Sequence, residues 1–255
     1  MKNITLGNLD QLPYAMEEAI NRLRVNVGFL GSDIKKIMVV STFPNEGKSL
    51  ITTQLWRQMA EAGIPSVLVD VDMRNSVLRQ QHPMTGENMT SEEIRKIPGT
   101  SDYLAGNCEL DDVICHTQYE KGDVILNAEN IVNPSLLLEG HRFTEMLDQL
   151  AERYRYVFLD TPPLDLVSDG ERIGSKCDGT LLVVRSGVTP TAAVKSSIAQ
   201  LQRADCPILG VVLNRADAAK RGYYHKRYGS YYGKNKKYTG YGAYGYGYGD
   251  GTEKK

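Results

Sequence analysis

Residues 37–49 are IMVVSTFPNEGKS, and this stretch decides the fold of the chain. The pattern predicts an apolar strand, a short turn, and a helix that opens at Gly47-Lys48-Ser49, as in the second half of the phosphate loop G-x-x-x-x-G-K-[ST]. Thr42 stands where that pattern has its first glycine. Because a bare G-K-S run is common by chance, the prediction of a nucleotide site depends on the acidic motifs that follow it.

Each part of this loop suits a triphosphate. A glycine at position 47 lets the backbone pass close to a phosphate, and the N–H groups of residues 44–49 can form an anion nest at the positive end of the following helix. Lys48 would reach the β- and γ-phosphates, and the hydroxyl of Ser49 would bind Mg²⁺. The predicted nucleotide contacts from this loop are Pro44, Asn45, Glu46, Gly47, Lys48, Ser49 and Leu50.

Length and composition are those of an ordinary α/β protein. The 255 residues can form one domain with a sizeable core, and the net charge of −1 gives no global field toward nucleic acid or a membrane surface. No apolar run approaches the roughly 18 residues of a membrane span, and the N-terminus lacks the apolar region of a signal peptide. The four cysteines form no C-x-x-C pair, so we expect structural thiols in a reducing cytosol.

Residues 66–74, SVLVDVDMR, carry the second motif. They predict a buried strand that delivers Asp70, Asp72 and Arg74 at its carboxyl end, where open parallel sheets bind their ligands. Alternation along an extended chain puts these three side chains on one side. Two carboxylates and a guanidinium would then converge near the phosphate loop, although a strand end with solvated charges is the plainer interpretation.

Residues 156–163, YVFLDTPP, are the third motif. A buried strand that ends in a single Asp160 is typical of the acidic residue that holds the Mg²⁺ water shell in phosphate-loop NTPases. A last strand at residues 207–213 delivers Asn214 to the same edge. Strands that alternate with helices predict an α/β fold, a doubly wound and mostly parallel sheet, within a domain at residues 1–217.

Further elements are predicted from periodicity and from turn signals. An amphipathic helix at residues 14–30 would cover the sheet, and a subunit contact is the alternative. Its apolar positions are Ala15, Ala19, Leu23, Val27 and Leu30. We expect a polar surface excursion at residues 75–100. We also expect short helices capped by Ser or Asp at 101–104 and 111–114, a strand at 124–126, and helices at 133–154 and 191–203.

Residues 218–255 form a basic, Tyr- and Gly-rich tail that cannot bury a core, so we predict that it is disordered. Its tyrosines are Tyr223, Tyr224, Tyr228, Tyr231, Tyr232, Tyr238, Tyr241, Tyr244, Tyr246 and Tyr248. Nucleic-acid binding, self-association and phosphorylation are the three interpretations of this composition. The nucleotide site in the same chain favours phosphorylation, because a γ-phosphate donor and many phenols stand together.

With these motifs in this order, the chain resembles the bacterial tyrosine kinases of the capsule and exopolysaccharide type. The resemblance covers about residues 14–217 and the tail. Its supporting runs are SDYLAG at 101–106, NPSLLL at 133–138 and VLN at 212–214. It implies a parallel sheet of seven to eight strands, in a phosphate-loop architecture related to the partition and septum-site ATPases.

The resemblance also implies the chemistry. ATP and Mg²⁺ would be bound, with Ser49, Asp72 and Asp160 at the metal. Lys48, Asp70, Asp72 and Asp160 would be the catalytic residues, and Arg74 and Asn214 would contact the nucleotide, Asn214 at the adenine. One carboxylate of the Asp70/Asp72 pair would accept the tyrosine proton, and the resemblance favours Asp70. The acceptors would be the tail tyrosines, phosphorylated in trans.

Partners follow from the same resemblance. It implies a homo-oligomer, a transmembrane adaptor that activates the kinase, and a cognate tyrosine phosphatase, with no nucleic acid expected. It further implies a cytoplasmic protein that the adaptor recruits to the inner face of the cell membrane. The family's oligomer helix usually has the pattern E-A-x-R-x-L-R, and Asn21 replaces its first arginine here.

Two further departures bear on function. After Arg74 the family often continues Arg-Pro, whereas this chain has Asn75-Ser76. The alternative function is a partition or septum-site type ATPase without kinase activity. Those relatives carry a second lysine in the loop, and Phe43 stands at that position. The tyrosine tail would also have no role in such an ATPase.

Overall fold

The computed structural model describes residues 2–9, 12–86, 89–128, 130–165 and 168–216. The predicted tail, its ten tyrosines and the predicted domain boundary at residue 217 lie outside the described residues. What is described belongs to one compact unit that ends at Ala216.

The strands are β1 (Lys2–Asn3), β2 (Thr5–Leu6), β3 (Lys36–Ser41), β4 (Ser66–Asp70), β5 (Met84–Thr85), β6 (Cys115–His116), β7 (Gly122–Ile125), β8 (Tyr156–Asp160), β9 (Gly179–Arg185) and β10 (Ile208–Asn214). The helices are α1 (Tyr14–Gly28), α2 (Lys48–Glu61), α3 (Leu78–Gln81), α4 (Ser91–Arg95), α5 (Thr100–Leu104), α6 (Leu110–Val113), α7 (Ser135–Glu139), α8 (His141–Arg153), α9 (Asp169–Gly174) and α10 (Thr191–Arg203).

Eight strands form one sheet in the order β1-β6-β7-β4-β8-β3-β9-β10. Every pairing in it is parallel except β6 with β7, and β2 and β5 make a separate antiparallel ribbon. The predicted α/β fold with a mostly parallel sheet is therefore confirmed. The apolar runs of β3, β4 and β8 stand at its centre because a strand covered on both faces needs side chains that avoid water.

The core lies in two layers, one on each face of the sheet. Along β3, Met38 and Val40 join the layer that contains α8, whereas Ile37 and Val39 join the layer that contains α2. This alternation follows from the two-residue period of a strand. Helices therefore cover both faces of the sheet, so it is doubly wound. The edge formed by the carboxyl ends of the strands remains for polar groups.

The helix predicted at residues 14–30 is present as α1, and of its predicted apolar face Leu23, Val27 and Leu30 pack on the core, whereas the first two positions are wrong. Ala15 and Ala19 are exposed, and the buried residues are Ile20 and Val27. Steps of four residues drift by about 40° each around a helix of 3.6 residues per turn, so Ala15 lies about 120° away from Val27. The buried face of α1 packs chiefly on α2.

The polar excursion predicted at residues 75–100 does lie largely at the surface, but it is more structured than predicted. This segment contains α3, β5 and α4, and it buries Leu78, Ile94 and Ile97 in the core. α3 and α4 are four and five residues long and each buries one apolar residue, Leu78 and Ile94, while Ile97 follows α4. Anchors spaced in this way produce no periodicity in the sequence.

Two predicted details of the remaining helices need correction. The helix predicted at 133–154 is broken into α7 and α8 at Gly140, whose backbone is extended (φ −64°, ψ 152°). The caps of α5 and α6 are Gly99 and Glu109, not Ser or Asp. Asp102 and Asp112 stand three residues into these helices and accept from the N–H of the cap residue.

Candidate active site

The carboxyl ends of three neighbouring strands bring the predicted acidic residues together. Asp70 at the end of β4 and Asp160 at the end of β8 are direct register partners, and β3 lies on the other side of β8. Lys48 begins α2, directly after the loop that follows β3. Its Nζ is 3.2 Å from Asp72 Oδ2, 3.7 Å from Asp160 Oδ1 and 3.3 Å from Ser49 Oγ.

The loop between β3 and α2 has the backbone of an anion nest. Asn45 and Gly47 have φ angles of 61° and 95°, in the left-handed region. A Cβ on Gly47 would lie 2.2 Å from Asn214 Nδ2, so only glycine fits both the dihedral angle and the space. The residues at the start of α2 line the cavity in front of the loop, and free N–H groups at a helix start suit a bound anion.

Glu46 holds this loop from behind. The side chain is 3% exposed. Its Oε2 accepts from the N–H of Phe43 at 2.9 Å, and its Oε1 accepts from the N–H of Arg185 at 3.3 Å and from the hydroxyl of Thr189. The carboxylate therefore ties the loop to the end of β9. A contact between Glu46 and nucleotide, as predicted, would have to come from its backbone.

Asn214 closes the loop from the end of β10. Its Nδ2 donates to the carbonyl of Glu46 at 2.8 Å, and its Oδ1 accepts from the N–H of Arg215 at 2.8 Å. The side chain still lines the cavity in front of the loop. The predicted adenine contact stays a prediction, and the structure adds that Asn214 supports the loop.

Asp70 and Asp160 stand in an environment that disfavours their charge. Burial, together with Asp160, raises the pKa of Asp70 to about 7. Burial also raises the pKa of Asp160, although Lys48 and Ser49 act in the opposite direction. For Lys48, burial lowers the pKa, but attraction by Asp160 and Asp72 more than offsets it, and the pKa is raised. The lysine therefore stays charged among groups that compete for protons.

Arg74 is placed by a residue that the sequence analysis missed. Its Nε donates to Asp169 Oδ2 at 2.6 Å, and its Nη2 donates to Ser135 Oγ at 3.1 Å. Ser135 in turn donates to Asp169 Oδ1 at 2.9 Å, and Asp169 is fully buried at the start of α9. The hydrogen bond to Asp169 raises the pKa of Arg74. No motif marks Asp169, because its partner is 95 positions away.

One cavity of about 540 Å³ unites the loop with the acidic strand ends. Its walls include the predicted site residues Pro44, Asn45, Gly47, Lys48, Ser49, Leu50, Asp72, Arg74 and Asn214. Met16 of α1 and the proline pair Pro162-Pro163 also line it. Asp70, Asp160 and Glu46 lie behind the wall, at 0%, 1% and 3% exposure.

The predicted metal residues fit a magnesium ion. Asp160 Oδ1 is buried and has no hydrogen-bond partner among the described residues, so an acceptor is available at the edge of the site. Lys48 Nζ, which lies near Asp160, also contacts Asp72 and Ser49. No cluster of three or more His, Cys, Asp or Glu able to hold a metal occurs in the described part of the chain. Mg²⁺ is usually held by one or two carboxylates together with substrate phosphates and waters.

Two other observations complete the description. Cys115, Cys177 and Cys206 are buried free thiols and Cys108 is a half-buried one. Over the ranges that the structure describes, no helix is both long and apolar enough to span a bilayer.

Comparison with known proteins gives named relatives. No family model matches the chain. The tyrosine-protein kinase CpsD of Streptococcus agalactiae is 33% identical over 221 residues, which is 87% of this chain and 92% of the relative. CpsD of Streptococcus pneumoniae serotype 4 is 34% identical over 207 residues, 81% of this chain and 87% of the relative.

Solved structures agree with these relatives. The kinase domain of the Escherichia coli tyrosine kinase ETK superposes with a TM-score of 0.67 at 28% identity, over 79% of this chain and 78% of that domain. The septum site-determining protein MinD of Pyrococcus horikoshii, in complex with Mg-ADP, has a TM-score of 0.56 at 22% identity, over 74% and 73% of the two chains. The second likeness shows the shared fold.

Proposed function

The chain belongs to the bacterial tyrosine-protein kinases, and from this premise we propose which of its residues bind ATP, which activate the acceptor, and which hydroxyls are phosphorylated. It is a protein-tyrosine kinase. The observation that carries the proposal is that Lys48 Nζ lies within 3.7 Å of both Asp72 and Asp160, with Asp70 beside Asp160 in the sheet register.

ATP is proposed to lie in the 540 Å³ cavity with its phosphates against the loop. The N–H groups of residues 44–49 and the ammonium of Lys48 would hold the β- and γ-phosphates, because phosphoryl transfer depends on positioning and charge neutralisation. Ser49, Asp72 and Asp160 would hold Mg²⁺, which supplies positive charge to the phosphate oxygens. Arg74 and Asn214 would line the rest of the nucleotide site.

Asp70 is proposed as the group that takes the proton of the acceptor. A phenol with a pKa near ~10 is mostly protonated at neutral pH, so a positioned acceptor raises its reactivity. Burial raises the pKa of Asp70 to about 7. This value is closer to the pKa of a phenol than the pKa of an exposed carboxylate is. Asp72 faces Lys48 and the cavity, so the metal role is assigned to Asp72.

The acceptors are proposed to be the ten tail tyrosines, and the transfer is proposed to occur in trans. A flexible segment of ~30 residues has a root-mean-square span on the order of 30 Å, so length alone permits both a chain's own site and a neighbour's. The trans assignment rests on the family to which the chain belongs.

A mixing experiment tests the transfer. A donor chain with all ten tail tyrosines replaced by Phe retains the site but has no tail acceptor. A Lys48→Met chain retains the acceptors but lacks the ammonium that would neutralise the phosphates. With ATP and Mg²⁺, the Lys48→Met chain should gain phosphotyrosine only when the donor is present. Lys176 is exposed, so Lys176→Met is the matched control and should label itself without the donor.

The opposite result is equally clear. If the mixture stays unlabelled while the intact chain labels itself at a rate that is independent of concentration, transfer occurs in cis. ATP hydrolysis without any phosphotyrosine would support the alternative, a partition or septum-site type ATPase. Phe43 in place of the second lysine of that class speaks against this alternative.

The biological role is proposed from the same family. The kinase would regulate the synthesis and export of capsular or extracellular polysaccharide. It would assemble with copies of itself, be activated at the inner face of the membrane by a transmembrane adaptor, and be reversed by a tyrosine phosphatase. Co-purification of the chain with the membrane fraction only when the adaptor is present would test the recruitment.

A further inference from the structure

Arg74 lines the cavity, yet it gives nearly all of its hydrogen-bond donors to the protein. A guanidinium has five N–H groups. Nε donates to Asp169 Oδ2 at 2.6 Å and Nη2 to Asp169 Oδ1 at 3.3 Å, so guanidinium and carboxylate meet as two forks. Nη2 also donates to Ser135 Oγ at 3.1 Å, and Nη1 donates to the carbonyl of Val132 at 3.0 Å. One N–H of Arg74 is left for a ligand, and Asp169 already balances its charge.

Asp169 is the fixed end of this arrangement. The residue is 0% exposed at the start of α9, and its Oδ1 accepts in addition from the hydroxyl of Ser135 at 2.9 Å. A buried carboxylate that lost its cation would be left with an unpaired charge, which is strongly unfavourable. Asp169 therefore holds the guanidinium of Arg74 in one place.

The ion pair ties the chain that leaves β4 to the chain that leaves β8, because Arg74 follows β4 and Asp169 begins the helix after β8. The turn that contains Arg74 also orients Asp72. The N–H of Asn75 donates to Asp72 Oδ1 at 3.1 Å, and Asp72 Oδ2 lies 3.2 Å from Lys48 Nζ. A shift of this turn would therefore move the Asp72 carboxylate at the cavity wall.

We propose that Asp169 is a positioning residue for the magnesium site. Through Arg74 it holds the turn after β4, and so it keeps the Asp72 carboxylate at the place where it meets the ion together with Asp160. Arg74 acts as a brace between two strand ends, in place of the nucleotide contact that the family resemblance implies. The inference deepens the proposed function and rests on it, because it takes Asp72 and Asp160 as the carboxylates at Mg²⁺.

Calorimetric titration of the full chain with ADP, once in EDTA and once with Mg²⁺, tests this role without turnover. The Kd in EDTA divided by the Kd with Mg²⁺ gives the magnesium ratio, which measures how much the ion strengthens nucleotide binding. In Asp169→Asn this ratio should fall by about tenfold, the lower end of the effect of residues that orient metal ligands. The Kd in EDTA should stay within twofold, whereas a general loss of structure would raise it.

Glu139→Gln is the matched control. Glu139 of α7 pairs with Arg172 of α9 at 2.8 Å, so it joins the same two helices as Ser135 and Asp169 do, outside the contacts of Arg74. This variant should keep both Kd values of the unaltered chain. A magnesium ratio that falls as far in Glu139→Gln as in Asp169→Asn would contradict the proposal.

Substitutions of Arg74 separate a brace from a phosphate ligand. Lysine keeps the positive charge but lacks the planar fork that matches a carboxylate. A brace predicts that Arg74→Lys loses the magnesium ratio as Asp169→Asn does, with the Kd in EDTA unchanged. An arginine that holds phosphate by its charge predicts that Arg74→Ala raises the Kd in EDTA and that Arg74→Lys restores it, and this result would overturn the proposal.

Ser135→Ala keeps the test decisive if Asp169→Asn does not fold. It removes a hydroxyl that contacts both Arg74 and Asp169 but leaves the ion pair in place. Since a single hydrogen bond contributes less than the ion pair, the magnesium ratio should fall by only about threefold. A ratio equal to that of the unaltered chain would contradict the proposal.

The possible failures are distinguishable. If Asp169→Asn and Ser135→Ala keep the magnesium ratio and the unaltered chain forms phosphotyrosine, the positioning role is wrong and the proposed function stands. If Asp72→Asn keeps the ratio, the metal assignment of Asp72 is wrong and the inference falls with it. If the unaltered chain binds ADP neither in EDTA nor with Mg²⁺, the inference falls together with the proposed function.

Discussion

Gly47 is the residue with the least freedom in the candidate site. Its φ of 95° belongs to the left-handed region, where a side chain costs roughly 1–2 kcal/mol. A Cβ would in addition stand 2.2 Å from Asn214 Nδ2. Any side chain at position 47 would therefore cause both backbone strain and a clash of its Cβ, at the point where phosphate is expected.

Gly47→Ala should abolish ATP binding and phosphotyrosine formation, because the loop must shift to relieve the clash. Gly187 is the matched control: its φ is 70°, and a Cβ there would meet nothing within 4 Å. Gly187→Ala should lower stability by about 1 kcal/mol and keep ATP affinity. Calorimetric titration with ATP and Mg²⁺ measures the affinity, and equal affinities in the two variants would contradict the assigned role of Gly47.

Glu46 tests whether the loop is held in shape before ATP arrives. Glutamine has one accepting oxygen, and its NH₂ group would face either the N–H of Phe43 or that of Arg185. Hydrogen bonds to charged groups contribute about 1.5–3 kcal/mol. Glu46→Gln should therefore raise the Kd for ATP by roughly tenfold or more. Glu120 is exposed, and Glu120→Gln should leave the Kd unchanged.

A buried ion pair connects the helices α1 and α2. Arg57 of α2 is 3% exposed and donates to Glu17 of α1 at 2.5 Å and to Glu61 at 2.8 Å. Glu17 also accepts from the N–H of Leu12 and from Gln58 Nε2. Because α2 begins at Lys48, the position of α1 is coupled to the helix that carries the phosphate loop.

Glu17→Gln should lower the free energy of unfolding by about 1 kcal/mol, since it removes the charge opposite a buried guanidinium. Glu18, next in sequence, makes an exposed pair with Arg22, so Glu18→Gln should change stability by less than about 0.5 kcal/mol. Urea denaturation of both variants at pH 7 gives the comparison. Equal stabilities would mean that α1 is held on α2 by apolar contacts alone.

The same pair has a defined pH dependence. Burial alone raises the pKa of Glu17, but the N–H of Leu12, the amide of Gln58 and the guanidinium of Arg57 together lower it. A carboxylate whose pKa is lowered in the folded state stabilises the fold above the ordinary glutamate pKa of ~4.5. This stabilisation is lost as the pH falls through the lowered pKa of the folded state. The stability difference between the unaltered chain and Glu17→Gln should therefore be constant near pH 7 and shrink below about pH 4.5.

The charge of the whole molecule should change with phosphorylation. The tail carries seven Lys and Arg residues before its first acidic residue, Asp250. Each phosphotyrosine adds about −1.5 to −2 near pH 7, so four or five would cancel this charge and ten would reverse it. We expect this reversal of the tail's charge to weaken the self-association of the chain.

Sedimentation before and after incubation with ATP and Mg²⁺ measures the consequence. The assembly should become smaller after phosphorylation, and 0.5 M salt should reduce the difference because it screens charges beyond a few ångströms. The chain with ten Tyr→Phe replacements is the control, since it cannot gain charge on the tail. An assembly mass that does not change with phosphorylation would exclude the electrostatic switch.

The sequence by itself determined the sheet, because apolar runs at 37–41, 66–71 and 156–160 can only be buried strands and each ends in a polar motif. Lys48, Asp72 and Asp160 could be placed together for the same reason: parallel strands share their carboxyl edge. The short elements between residues 75 and 100 could not be found, since one buried anchor per element leaves no period to detect.

The tertiary structure alone decided what surrounds the acidic residues. Glu46 with Thr189, Arg74 with Asp169, and Asn214 with the loop carbonyl are separated by 143, 95 and 168 positions. Ser76 is only six positions from Asp70, yet their contact depends on how the chain turns after β4. Such contacts follow from the packing of the whole sheet, since a hydrogen bond needs its two atoms within about 3 Å, and no local pattern specifies that distance.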